Sequence, residues 1–397
     1  MSPPRVGIHL TVVVWLLLAA CPLLVSEWRL SQLAQITSYG IFAMSLAFLW
    51  GQTGLLCFGQ AIFFGVGAYV MALITKGMVS GVGDSTVIGL LAATLLAALV
   101  ALAAGLLVFR GRGLSGAYFA IVTLAAAVIA ERAASHSRFI GGFNGLLDVP
   151  PLRYGGDASR VELLAPMPVY YVMLGAAGLA YGLLLWLERS PLGTTLRAVR
   201  DNEPRTAYFG FEVSVYKTFS FALSGAMAGF AGGLFATQFG FVSPALIGVP
   251  LSTEVLIWTA LGGREVLLAA FLGALVVRSV ESLLSEALGY YWLLGLGVLF
   301  IASVVIFPRG LLGRLLSLPP PRRMAGPAEP PRWAERTAEG GRRGRWARSC
   351  SPPRCRTCSI PTTTRRRAAS PVDGRSRRAW PRSRSSARPS WRGAPTR

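Results

Sequence analysis

The sequence predicts an all-α protein that crosses a membrane several times, with about ten transmembrane helices (eight to ten). Hydrophobic residues make up 53% of the 397 residues and charged residues only 14%, whereas soluble proteins contain about 25% charged residues. Several apolar runs reach about 18 residues, enough for a helix to cross a ~30 Å hydrocarbon core. The runs are continuously apolar rather than alternating, which favours helices over a β-barrel.

The first apolar run, 8–25, is interpreted as an uncleaved membrane span, although residues 18–21 also resemble a lipoprotein cleavage box. The run at 251–261 is short for a regular crossing, so we expect a tilted, extended or half-helical segment there. The remaining spans are expected at 30–50, 58–75, 86–109, 115–133, 168–187, 218–238, 266–286 and 292–307.

The formal net charge of +21 belongs almost entirely to the C-terminal tail. Residues 1–318 carry 18 Lys and Arg against 14 Asp and Glu, whereas residues 319–397 carry 21 Arg against four acids. The body is therefore nearly neutral, which excludes a soluble nucleic-acid-binding domain as the main interpretation. The Arg-, Pro- and Ser-rich tail cannot bury a core and is expected to be disordered. A frameshifted C-terminus is the alternative explanation.

The distribution of basic residues between the loops predicts the orientation in the membrane. With the N-terminus inside, the inner loops of the body receive eleven Lys and Arg and the outer loops six, which agrees with an excess of positive charge on the cytoplasmic side. Both termini are then cytoplasmic. This orientation places the long loop 134–167 outside and the charged, helix-permissive segment 188–217 inside.

Catalytic chemistry is poorly supported by the sequence. Neither of the two lysines, Lys76 and Lys217, follows a glycine, so the chain contains no phosphate-binding loop of the G-x-x-x-x-G-K-[ST] type. The two histidines, His9 and His136, are isolated, and no metal site or Ser/His/Asp grouping is expected. We therefore expect a transport protein and not an enzyme.

Charges at membrane depth are functional candidates. Arg278 and Glu281 lie three residues apart in one span and can meet on one helix face, and Glu254 lies in the short segment before it. One interpretation is a self-neutralised pair packed between helices. The other is a proton or ion relay, which would indicate a secondary transporter.

Glycines are dense in two regions. Gly225, Gly229 and Gly233 are spaced by four residues along one helix face, a pattern that lets helix backbones approach closely, either inside the bundle or at a subunit interface. The segment 51–69 contains five glycines and two glutamines. It is interpreted as a tight turn with closely packed helices, or as a pathway lining.

Five sequence stretches follow one another along the chain. They are GLLCFGQAIFFGVGAY at 54–69, GAYFAIVTL at 116–124, GGFNGL at 141–146, SPLG with RAVRDNE between 190 and 203, and FPRGLLG at 307–313. In this order they resemble the LivM-type permeases of branched-chain amino acid ABC importers. The resemblance covers about residues 30–313, and the tail matches nothing in such permeases.

The resemblance implies a permease bundle at 30–313, preceded by an N-terminal anchor at 1–30. It also implies a second homologous permease subunit, two cytoplasmic ATPase subunits and a periplasmic or lipid-anchored binding protein. No cofactor is expected on this chain, because ATP and Mg²⁺ are used by the ATPases. Membrane lipid is an expected partner and nucleic acid is not, and the location implied is the bacterial inner membrane.

The resemblance assigns segment 188–217 to coupling with the ATPase. One short helix near 194–207, ended by Gly210, would present its charges to a groove on the ATPase. The predicted coupling residues are Arg197, Ala198, Arg200, Asp201, Asn202, Glu203 and Gly210. Candidates to line the translocation path are Gln60, Tyr118, Thr123 and Asn144.

Branched-chain amino acids are the expected substrates, with urea or short amides as the alternative because related permeases carry them. A self-sufficient secondary transporter using Glu254, Arg278 and Glu281, and a membrane scaffold with a basic tail, are the competing functions. Dependence of uptake on a separate ATPase distinguishes the first function from the secondary transporter. Deletion of 319–397 distinguishes the scaffold, because uptake by a transporter should survive it.

Overall fold

The computed structural model describes residues 8–23, 25–78, 85–110, 116–154, 161–162 and 165–288, together with residues 295, 297 and 313. All of them belong to the first of two units, Met1–Met324. Most of the described residues are helical. The helices are α1 (Ile8–Ala20), α2 (Glu27–Thr53), α3 (Gln60–Thr75), α4 (Thr86–Phe109), α5 (Ala117–His136), α6 (Pro166–Arg189), α7 (Pro191–Asp201), α8 (Glu203–Tyr208), α9 (Val213–Phe239), α10 (Val249–Gly262) and α11 (Leu267–Leu288).

Shorter elements occupy the connections. One small antiparallel sheet, β1 (Arg153–Tyr154) with β2 (Val161–Glu162), lies between α5 and α6, with Arg153 opposite Glu162. Short 3₁₀ helices occur at Cys21–Leu23, Arg138–Ile140, Gly142–Asn144 and Pro244–Ile247.

The predicted fold class, an all-α polytopic membrane protein, is confirmed. Within the described residues, α2, α4, α5, α6 and α9 are long and apolar enough to cross a membrane, and the α10–α11 pair adds a sixth candidate. Nine of the ten predicted runs coincide with helices, and the tenth, 292–307, lies outside the described residues apart from 295 and 297. Helix α1 stops at Ala20, short of the predicted end, because Pro22 cannot continue a helix.

Helices α2 and α9 form the interior of the bundle. The most apolar stretch of α2 is 83% buried and that of α9 72%, whereas the corresponding stretches of α4 and α5 are each only 22% buried. A helix enclosed on all sides belongs to the core, and one with a single buried stripe lies at the periphery. The exposed apolar faces of α4 and α5 are therefore available to lipid or to another membrane subunit.

Small residues set the distance between α9 and its neighbours. Side chains at Gly225 and Gly229 would overlap the Cβ atoms of Ala101 and Ala97 on α4, and one at Gly232 would overlap the Phe64 carbonyl on α3. The glycine ridge predicted from the sequence is therefore used for packing within the bundle. Such close approach is a main source of attraction between helices in lipid.

The α10–α11 pair is bent by 117° at a short break around Gly263. The two helices pack closely because Gly262 and Gly273 lack side chains: a Cβ at Gly273 would come within 2.6 Å of the Trp258 carbonyl oxygen. The short segment expected at 251–261 is thus half of a broken span or re-entrant loop.

Replacing Gly229 with valine should destabilise the protein, because the new side chain has no space against α4. We expect a cost of about 1–3 kcal/mol, typical of overpacked cores, measured as a lower melting temperature in detergent and lower accumulation in the membrane. Gly175→Val on α6 is the matched control, because a side chain there meets nothing within 4 Å. Equal melting temperatures for the two variants would contradict this packing.

Candidate functional site

A cleft of about 450 Å³ opens at the end of the bundle where α2 ends and α9 begins. Helices α7 and α8 contribute one side of it, and the start of α5 contributes Gly116. The lining residues are Thr53, Gly54, Leu55, Gly116, Val199, Arg200, Asp201, Asn202, Glu203, Pro204 and Lys217.

Segment 188–217 folds as two short helices and not as the single helix predicted at 194–207. Ser190 caps α7 by accepting the Gly193 N–H at 3.4 Å. Asn202 adopts an extended conformation and caps α8 by accepting the Arg205 N–H at 2.9 Å. Asparagine favours such caps, and Pro204 at the start of α8 has no N–H to continue α7. The prediction of one continuous helix was therefore wrong.

Three side chains of this segment bind the ends of three membrane helices. Arg197 contacts Glu188 of α6, with its guanidinium 3.2 Å from the carbonyl oxygen and 3.6 Å from the carboxylate. Arg200 donates to the Gly51 carbonyl of α2.

The third link joins α8 to α9. The Lys217 ammonium lies 2.6 Å from the Glu203 carboxylate and 5.9 Å from the centre of the Phe109 ring. The Lys217 side chain is only 3% exposed, and that of Glu203 is 38% exposed. A buried ammonium needs such a partner, so this pair fixes α8 against the base of α9.

The charged residues of this segment divide between the bundle and the surface. Arg197 and Glu203 are half-buried and bind Glu188 and Lys217. Arg200 donates to the Gly51 carbonyl while remaining exposed, and Ala198, Asp201 and Asn202 are exposed as well. Asp201 also lies 3.4 Å from the Arg200 side chain. Involvement of the segment in coupling stays a prediction.

Exposed aromatic residues mark the end of α8. Tyr208 is 91% exposed and Phe209 72% exposed. Gly210 follows with φ +86°, the left-handed conformation expected where a helix ends. The two aromatic residues were not among those predicted from the sequence, although large apolar side chains in an otherwise charged loop are a signal for a protein contact.

Gln60 is one of two predicted path residues that are buried. Its side-chain nitrogen donates to Ser45 Oγ at 3.1 Å and to Ser224 Oγ at 2.8 Å, joining α3 to α2 and α9. Its side-chain oxygen has no partner among the described residues. Gln60 therefore holds three helices together, and lining of a path by Gln60 stays a prediction.

The other three path candidates lie apart. Thr123 is buried and accepts the Phe58 N–H at 3.1 Å, next to the turn that precedes Gln60. Tyr118 is 74% exposed, and Asn144 is exposed in the loop after α5. The structure does not bring the four residues into one site.

The conformation of the GGFNG turn, which contains Asn144, depends on its glycines. Gly141, Gly142 and Gly145 all have positive φ, between 58° and 85°. Leu146 then exchanges two backbone hydrogen bonds with Val242, at 2.8 and 3.0 Å, which ties this loop to the segment after α9.

The three intramembrane charges do meet. Arg278 Nη1 lies 2.7 Å from the Glu281 carboxylate, as predicted from their spacing, and 3.6 Å from the Glu254 carboxylate on α10. The guanidinium also lies 4.6 Å from the centre of the Tyr39 ring and 5.7 Å from that of Trp258. The bend between α10 and α11 brings Glu254 to the pair.

Comparison with known families matches residues 29–304 to the family described as the permease component of the branched-chain amino acid transport system. The chain belongs to this permease family. The match begins just after the start of α2 and extends beyond α11, so it includes both the 188–217 segment and the charged cluster.

Individual relatives agree with this assignment. LivM, the permease protein of the high-affinity branched-chain amino acid transport system, is 31% identical in Escherichia coli K12 over 75% of this chain and 72% of the relative. LivM of Salmonella typhimurium is 31% identical over 74% and 72%. BraD of Pseudomonas aeruginosa is 24% identical over 70% and 92%. No solved structure matches the chain.

In this permease, Glu203→Ala should destabilise more than Lys217→Met. The first change leaves a buried ammonium without a partner, at a cost of about 2 kcal/mol. The second replaces the ammonium with an apolar side chain of similar length and leaves a carboxylate that water can reach. Melting temperatures of the purified proteins measure the order. Restoration of stability in the double variant supports the explanation, and the opposite order contradicts it.

Proposed function

We propose that this permease is the membrane-spanning subunit of an importer that moves branched-chain amino acids into the cell, driven by ATP hydrolysis on separate subunits. Family membership supports the transport role, and the LivM and BraD relatives carry the substrate in their names. The chain has no phosphate-binding loop of its own. ATP and Mg²⁺ are therefore assigned to partner ATPases, with no cofactor on this chain.

The observation that carries the coupling proposal is the attachment of segment 188–217 to three membrane helices. Arg197 links it to α6, Arg200 to α2 and Glu203 to α9. A rigid-body movement of this segment would act on all three helices at once. The exposed Tyr208 and Phe209 supply an apolar contact for the ATPase surface.

The proposed assembly contains a second homologous permease, two ATPases and a periplasmic or lipid-anchored binding protein. Its location is the bacterial inner membrane. The 188–217 segment faces the cytoplasm, as the basic residues of the loops favour. Both chain termini lie on that same side.

Reconstitution in liposomes tests this function. The permease, its partner subunits and a loaded binding protein should take up leucine only when ATP and Mg²⁺ reach the ATPase side. Uptake of leucine without an ATPase subunit would overturn the proposal in favour of a secondary transporter. Uptake of urea instead of leucine would overturn the substrate assignment.

Arg200→Ala should uncouple the two activities of the assembled importer, because α7 loses its bond to α2. We expect ATP-driven leucine uptake to fall by about tenfold or more, the effect of losing a charged hydrogen bond, with ATP hydrolysis and membrane level retained. Arg205→Ala is the charge-matched control, because the Arg205 side chain is exposed on α8. Equal loss in both variants would show that loop charge, and not the bond to Gly51, matters.

A further inference from the structure

The cluster of Glu254, Arg278 and Glu281 contains more negative than positive charge. One guanidinium faces two carboxylates, at 2.7 and 3.6 Å. No second cation pairs with Glu254 or Glu281 among the residues that the structure describes. Unbalanced charge at membrane depth is costly, so the second carboxylate needs a cation or a proton.

Glu254 is the more weakly paired of the two carboxylates. Glu281 lies on the same helix as Arg278 and makes the short contact, a hydrogen bond of 2.7 Å. Glu254 reaches the guanidinium only at 3.6 Å, beyond ordinary hydrogen-bond length. Its side chain is 22% exposed, as is that of Arg278, so neither is fully enclosed by the bundle.

An unpaired hydrogen-bond donor lies beside these charges. The Trp258 side chain is fully buried, and its indole N–H has no acceptor within the described part of the chain. Trp258 is four residues from Glu254 on α10, and therefore on the same helix face. Buried indole N–H groups normally find a partner, so this N–H is a donor that a ligand acceptor could satisfy.

Aromatic rings form an apolar border to the cluster. Tyr39 lies under the Arg278 guanidinium, with its ring 5.2 Å from those of Trp258 and Phe235 and 6.3 Å from that of Phe239. The arrangement therefore combines a surplus carboxylate, two donor groups and an apolar surface. An α-amino acid with an apolar side chain presents the complementary ammonium, carboxylate and hydrocarbon.

We propose that this cluster is a binding site of the permease for the substrate amino acid, with Glu254 receiving its ammonium group. Arg278 and the Trp258 N–H receive its carboxylate, and the rings around Tyr39 contact its side chain. The inference rests on the proposed import of branched-chain amino acids. It adds a site within the membrane subunit, distinct from any binding protein outside, and it disfavours neutral amides, which carry no ammonium.

Two analogues of leucine test the chemistry directly. Binding is measured by equilibrium titration of the full importer complex in lipid nanodiscs, with the binding protein left out. Leucine and 3-methylbutylamine, which keeps the ammonium but has no carboxylate, should bind. The third probe, 4-methylpentanoate, has the carboxylate but no ammonium and should not. Binding of 4-methylpentanoate as tight as that of leucine, or no binding of leucine, would overturn the proposal.

Two variants test which side chain binds the ammonium group of leucine and which binds its carboxylate. Glu254→Gln should weaken leucine binding by about tenfold or more, the effect of losing a charged hydrogen bond. Trp258→Phe keeps a ring but removes the N–H, so it should weaken leucine binding and leave 3-methylbutylamine binding unchanged. Glu27→Gln, at an exposed carboxylate at the start of α2, is the control and should bind as the original protein does.

If the cluster serves only to stabilise the fold, the binding experiments should give a different result. Glu254→Gln would then lower the melting temperature without changing the preference among the three probes, and that outcome overturns the binding site. A complex that takes up leucine with ATP but shows this outcome leaves the proposed function standing. Absence of ATP-driven leucine uptake by the unchanged complex instead refutes the function itself.

Discussion

Close approach of helix backbones is the constraint on which this structure depends. Helices surrounded by lipid gain little from burying apolar surface against one another, so association relies on van der Waals contact and hydrogen bonds between them. In this permease, glycines of α9 face α3 and α4. On α4 they lie against the small side chains of Ala97 and Ala101. The position of α9 in turn determines the position of Lys217. Because Lys217 pairs with Glu203, it also fixes the position of α8.

At the helix ends, polar contacts rather than backbone packing hold segment 188–217 against the bundle. Arg197, Arg200 and Glu203 each find a partner on a different helix, and those partners lie together only because the bundle has converged there. The carbonyl that Arg200 reaches belongs to the last turn of α2, where carbonyls have no partner within the helix. Segment 188–217 is thus attached in part by carbonyl groups that a helix end leaves free.

Local features were predictable from the sequence, and long-range ones were not. Run length and apolar composition locate the spans, and the spacing of three residues predicts the Arg278–Glu281 contact. The approach of Glu254 depends on the bend between α10 and α11, which no local pattern specifies. The direction of Arg200 depends likewise on where α2 ends in space. The cap at Asn202 was not predicted, because the segment around it was interpreted as one continuous helix.

Gly51 contacts both segment 188–217 and the α10–α11 break without any side chain. Its carbonyl accepts the bond from Arg200, and its bare Cα lets the Arg264 carbonyl at the α10–α11 break lie against it. A linkage made of side chains loses stiffness whenever a rotamer changes. On α2, both contacts are made by backbone atoms of Gly51, which have no side-chain rotamers. This part of the linkage is therefore as stiff as the helix backbone.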